Sequence, residues 1–273
     1  MSTAPVGLLL REWRATRRLS QLDLSLAADV SARHISYVET GKARPSRDLI
    51  TRLADTLEMP LRERNTLLLA AGFAPQYPET VLDMPLLAPV RRAIESMLRQ
   101  QEPYPAFLLN RRWDVLMANE AAARLSRFLL DGRDSPHANM IRQFFDPQDL
   151  RAAVANWDEV AGDLIRHLHI EIAAAPGDGA LRELLQHALS YPGVPSRWRL
   201  RDVAAAPAPL LTTQFRHRGQ SLRFFSTITT FGTPRDVTLD ELRIECAFPE
   251  DEATAAFCQR LREGPAITPS QDA

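Results

Sequence analysis

Ala32, Arg33, Ser36 and Tyr37 share one face of the run "SARHISYVE", and between them they carry the groups that can read a base edge. Arg33 can donate two hydrogen bonds to guanine O6 and N7, Ala32 can pack on a thymine methyl, and Ser36 and Tyr37 can reach base edges or phosphates. Gln21, Ser31, His34, Lys42, Arg44 and Ser46 lie nearby and suit phosphate oxygens, contacts that fix register without reading sequence. One residue fits this picture badly. Glu39 places an acid near the buried face of the same run, just before Gly41 ends it.

These residues need two crossed helices to present them. Residues 21–40 fit helix-turn-helix spacing position by position. Leu24 and Ala28 point inward from the first helix, and Val30, Ile35 and Val38 from the turn and second helix. Ala32, Arg33, Ser36 and Tyr37 are then left on the outer face, which a recognition helix lays in the major groove. Ser25 is small where the helices cross. Asp29 occupies the turn, and Asp is among the few residues that tolerate a left-handed backbone.

The surrounding chain reads as helices with short breaks. "GLLLREWRATRR" sets Leu8, Leu9 and Trp13 at helical spacing. Ser20 and Ser31 are N-cap positions, Pro45 and Ser46 open a helix that buries Leu49, Ile50, Leu53 and Leu57, and Gly72 closes the last one. The spacing predicts five short helices over the first 72 residues. A proline-rich stretch follows, with Pro75, Pro78, Pro85 and Pro89. Beyond it, "PAFLLN" and "RRWDVLMAN" are strand-like, helical patterns run from Glu120 to about Ser190, and three further strand-like runs include "DELRIECAF". In that last run Leu242, Ile244, Cys246 and Phe248 alternate with Arg243 and Glu245.

Charge separates the two parts. The chain of 273 residues has formal charge −1, but residues 1–75 hold 11 Lys/Arg against 8 Asp/Glu. A basic end on an acidic body fits a nucleic-acid module joined to something else. Cys246 and Cys258 are too few for a disulfide framework and wrongly spaced for zinc. No apolar run is long enough to span a bilayer and no signal peptide precedes the helices, so a cytoplasmic protein without membrane attachment is expected.

"RATRRLSQLDLSLAADVSARHISYVETGKARPSRDLITRLADTLEMP" resembles the Cro-like, xenobiotic-response-element family of helix-turn-helix regulators, over roughly residues 7–72. Ser25 and Asp29 depart from that family's usual alanine and glycine. The resemblance implies that Arg14 of the first helix pairs with Glu39. "PAFLLNRRWDVLMANEAAARL", "NMIRQFFDP", Trp157 and "DVTLDELRIECAFPEDEAT" resemble the MmyB-like ligand-binding domain, over about residues 85–262. That family implies a PAS-like fold, a homodimer and a mainly apolar effector pocket for which a fatty acid is one occupant.

The expected fold is therefore multi-domain: an all-α, five-helix, lambda-repressor-like helix-turn-helix domain, then an α+β PAS-like domain with a small antiparallel sheet covered by helices. The expected boundaries are 1–74 for the DNA-binding module, 75–88 for a linker, 89–263 for the ligand-binding and dimerisation domain, and 264–273 for a disordered tail. Phe107, Leu109, Trp113, Met117, Phe224, Ile228 and Cys246 are the expected pocket residues, with Arg223 or Arg216 near its mouth. The partners expected are double-stranded DNA carrying an inverted repeat, a small-molecule effector and a second copy of the chain.

Other chemistries find less support. A self-cleaving Ser-Lys peptidase needs a lysine base, and Lys42 is the only lysine in the chain. "HLHIE" offers His167, His169 and Glu171, but residues two apart on a helix do not face each other. No metal, no cofactor and no enzymatic activity are expected. The alternatives left open are a C-terminal domain that binds a protein partner and one that responds to redox state through a cysteine.

Overall fold

The computed structural model describes residues 5–175, 177–200 and 210–263, so the expected disordered tail at 264–273 lies outside the described residues. Five helices open the chain: α1 (Val6–Thr16), α2 (Gln21–Ala28), α3 (Ala32–Glu39), α4 (Arg47–Thr56) and α5 (Leu61–Ala70). Then come α6 (Ala88–Gln100), β1 (Ala106–Leu109), β2 (Val115–Ala118), α7 (Glu120–Leu129), α8 (Met140–Phe145), α9 (Trp157–Ala174) and α10 (Gly179–Ser190). β3 (Thr212–His217), β4 (Gln220–Thr229), α11 (Val237–Glu241), β5 (Arg243–Pro249) and α12 (Glu252–Glu263) complete the order.

The chain forms two compact units. The first holds α1–α5 around Leu10, Trp13, Leu24, Ile35, Val38, Ile50, Leu53, Leu57, Leu67 and Leu68. The inward face of α1 is Gly7, Leu10 and Trp13, whereas Leu8 is exposed. Helix starts follow the side chains. Ser20 accepts from the Asp23 N–H while Asp23 accepts from the Ser20 N–H, a complete capping box, and Ser31 and Ser46 cap α3 and α4.

This unit also takes in Ile170–Arg182 and Gly232–Asp240. The Val237 N–H donates to the Pro78 carbonyl at 2.8 Å, and the Thr80 N–H to Asp236. α5 begins after Pro60, which has no capping side chain, and Asp240 takes the Leu61 N–H at 3.1 Å instead. The stretch expected to be a linker at 75–88 is tied down at its start. The Asn65 side chain accepts from the Gln76 and Tyr77 N–H groups and donates to the Tyr77 carbonyl.

The second unit is built on a five-stranded antiparallel sheet in the order β2-β1-β5-β4-β3. α7 lies along β1 and α12 along β4 and β5, giving the α+β, sheet-with-helices arrangement expected of a PAS-like domain. Asp240, Glu241 and Leu242 do not start the last strand as expected: the first two end α11, and β5 begins at Arg243.

Candidate functional site

α3 is placed by contacts at both of its ends. At its start the Ser31 hydroxyl accepts from the His34 N–H at 3.2 Å. Before it, Asp29 adopts the left-handed conformation (φ 51°, ψ 52°) expected of the turn, and the Ser25 hydroxyl folds back on the Leu22 carbonyl at the helix crossing. At its end Gly41 has φ +73°; its N–H reaches the Val38 carbonyl at 3.1 Å and the Lys42 N–H the Tyr37 carbonyl at 2.8 Å. That double closure is a Schellman motif, which satisfies carbonyls a helix end leaves orphaned and needs the backbone freedom of glycine.

Glu39 is held from two other helices. Arg14 Nε and Nη2 donate to its two carboxylate oxygens at 2.7 and 2.9 Å, and Gln21 Nε2 donates to Oε2 at 2.8 Å. Arg14 Nη1 also reaches the Leu19 carbonyl. Burial of the Glu39 carboxyl pushes its pKa up, but the hydrogen bonds from Arg14 and Gln21 and the charges of Arg14 and Arg11 outweigh that and hold it below the usual carboxylate range. Gln21, expected at a phosphate, thus spends one amide hydrogen inside the protein. Gly7 completes the anchor: a Cβ there would overlap the Val38 carbonyl oxygen and lie 2.6 Å from that of Glu39. Sequence reasoning missed Gly7, because a glycine near a helix start carries no signal of a close backbone approach.

The outer face of α3 carries a small stack. Arg33 Nε donates to the Tyr37 hydroxyl at 2.9 Å with its guanidinium 5.2 Å from the ring centroid, and Lys42 Nζ lies 6.0 Å from the same ring. Arg33, His34 and Tyr37 are exposed, and Ala32 and Ser36 are half-buried at the same surface. Lys42, Arg44 and Ser46 are exposed along the loop that follows, with Ser46 also capping α4.

The second unit holds a half-open cavity of about 220 Å³ between the sheet and helices α7 and α8. Phe107, Leu129, Met140, Phe144, Phe215 and Phe224 supply apolar walls, and Ser126, Gln143, Thr213, Ser226 and Glu245 the polar points. Only Phe107 and Phe224 of the expected pocket set line it. Cys246 pairs with Ala106 and Thr227, and Met117 with Leu108, so both project from the opposite face of the sheet. Leu109 follows a break in register after Leu108 and is packed away, while Ile228 lies on the exposed far end of β4. Trp113 sits in the β1–β2 turn at φ +65° and packs edge-on against His167.

The alternation expected in β5 is present, but the wall is its polar side. Glu245 and Ala247 face the cavity, not Ile244, Cys246 and Phe248. The expected arginines do not reach it either. Arg223 pairs with Glu250 at 2.9 Å and Arg216 is exposed, and among the described residues no Arg, Lys or His lines the cavity. His167 bonds Asp163 and His169 faces the Trp198 carbonyl, so the two histidines diverge.

Residues 90–261 match the family model of the MmyB-like transcription regulator ligand binding domain. The chain belongs to the MmyB-like transcription regulators. Residues 5–67 match a helix-turn-helix domain model, so this member joins a helix-turn-helix DNA-binding domain to a ligand-binding domain, and both are regulator modules. No curated protein matches the chain. Among solved structures, an RNA-binding light-oxygen-voltage receptor aligns with 93% of this chain at 14% identity and a TM-score of 0.24. The chain spans 61% of that receptor, and a likeness at this level carries no argument. Among the described residues no helix is long and apolar enough to cross a membrane.

Proposed function

We propose that the protein is a cytoplasmic, homodimeric regulator that binds an inverted repeat and releases or grips it according to a small, mainly apolar effector in the second unit. Each protomer lays α3 in one half-site, with half-sites about one helical turn apart. Ala32, Arg33, Ser36 and Tyr37 read bases, while Gln21, Ser31, His34, Lys42, Arg44 and Ser46 hold phosphates.

The observation that carries the effector reading is the cavity of about 220 Å³ with its few polar points, because a well-packed core leaves no such volume. Covalent continuity offers a route for the signal. β4 and β5 both line the cavity, and the connection between them, Gly232–Asp240, belongs to the DNA-binding unit and caps α5 through Asp240. A ligand that shifts these strands differs in its contacts between two states and so moves their populations. The redox alternative draws no support from the thiols. Burial raises both cysteine pKa values, that of Cys258 to about 11, which keeps the unreactive thiol form.

The test is extraction of the purified full-length protein with organic solvent and mass spectrometry of the extract, followed by operator binding with and without the recovered molecule. A reproducible small apolar compound that alters operator affinity is expected. A protein that is always empty, with affinity indifferent to cell extract, contradicts the reading.

A further inference from the structure

Tyr37 and Arg33 stand four residues apart on the outer face of α3, where side chains at that spacing meet. The tyrosine backbone is fixed from the loop that follows. Its carbonyl accepts from the Lys42 and Ala43 N–H groups at 2.8 and 3.1 Å. Two cations lie against its ring, the Arg33 guanidinium at 5.2 Å from the centroid and the Lys42 ammonium at 6.0 Å. Its hydroxyl accepts from Arg33 Nε at 2.9 Å. The attraction of a cation to an aromatic face and a hydrogen bond to the phenol thus act on one guanidinium.

That bond decides which part of Arg33 is left for a base. A guanidinium carries five N–H groups in a rigid, planar fork. The tyrosine takes the one on Nε, and among the described residues Nη1 and Nη2 have no partner. Those two nitrogens form the end of the fork, the part that can meet guanine O6 and N7 together. A long side chain that is free in solution gives up rotamer freedom when DNA binds. A guanidinium already held at a fixed ring has less to lose.

We propose that Tyr37 is a positioning residue that selects bases through Arg33. It holds the guanidinium end-on, so that Nη1–H and Nη2–H reach one guanine, and it reads no base of its own. This rests on the reading of α3 as the recognition helix.

The experiment is selection from a random duplex library, then affinity for the selected operator and its single-base variants, with full-length wild type, Tyr37→Phe, Arg33→Ala and the double variant. Tyr37→Phe keeps the ring and removes the hydroxyl at an exposed position, and an unchanged melting profile checks the fold. Operator affinity is expected to fall about two- to tenfold, the value of ordering one long side chain. The whole loss should appear at the base pair that Arg33 reads. In the Arg33→Ala protein, Tyr37→Phe should then change nothing, because a positioning residue has no effect without the group it positions. Altered preference at a second base pair, equal weakening on every sequence, additive losses in the double variant, or full preference in Tyr37→Phe each overturns the proposal and leaves α3 as the reader. Wild type that enriches no sequence overturns that reading itself, and the inference with it.

Discussion

Arg14 on α1 grips both carboxylate oxygens of Glu39 at the end of α3, at 2.7 and 2.9 Å, and ties the recognition helix to its support. The Glu39 side chain is 3% exposed and that of Arg14 16%, so removing either partner strands a desolvated charge. Arg14→Ala is expected to lower unfolding stability by about 3 kcal/mol, whereas the joint replacement Arg14→Met with Glu39→Leu costs less than either single change. Chemical denaturation of the three variants measures this. Equal or additive losses would show that the pair is not acting as a unit.

The same pair gives a pH dependence with a definite sign. The folded Glu39 carboxyl titrates below its unfolded value, so its stabilisation is complete above the unfolded pKa and is lost as pH falls through the folded one. Wild type should therefore lose stability on acidification more steeply than the Arg14→Met, Glu39→Leu protein. Parallel curves from pH 7 down to acid would contradict the assignment.

Gly7→Ala is a small change with a large expected effect. Its methyl must displace backbone carbonyls of Val38 and Glu39 and so push α3 away from α1. Operator affinity should fall by at least about tenfold, alongside a stability loss of about 1–3 kcal/mol. Gly41→Ala differs, since a Cβ there meets nothing within 4 Å and only the φ of +73° resists it. It should cost about 1 kcal/mol and leave affinity nearly unchanged.

Asp240→Ala removes the acceptor at the start of α5, 179 residues away in sequence. A loss of about 1 kcal/mol, typical of a helix cap, should appear in the melting of the DNA-binding unit. No change would mean that the Gly232–Asp240 segment does not brace that unit.

The DNA-binding unit was the more legible part because its determinants are local. Caps, a left-handed Asp29, a C-terminal Gly41 and a 3.6-residue apolar period all act within a few residues of themselves. What escaped there was tertiary: the close approach at Gly7, the bond from Gln21 to Glu39, and the cap from Asp240. The cavity was read from the wrong side of β5. Alternation told which residues share a face, but hydrophobicity chose Cys246 for the wall, whereas Glu245 and Ala247 line it. A charged residue inside a sheet strand was the available signal.

The central claim is that the outer face of α3 chooses the DNA sequence, and selection from a random duplex library with wild type and Arg33→Ala tests it most directly. Wild type should enrich an inverted repeat with half-sites one helical turn apart. Arg33→Ala should lose about 1–3 kcal/mol and relax preference at one base pair per half-site, whereas Lys42→Ala should weaken all sequences alike and lower the salt slope by about 1. Uniform weakening by Arg33→Ala, with every base preference intact, would contradict the account.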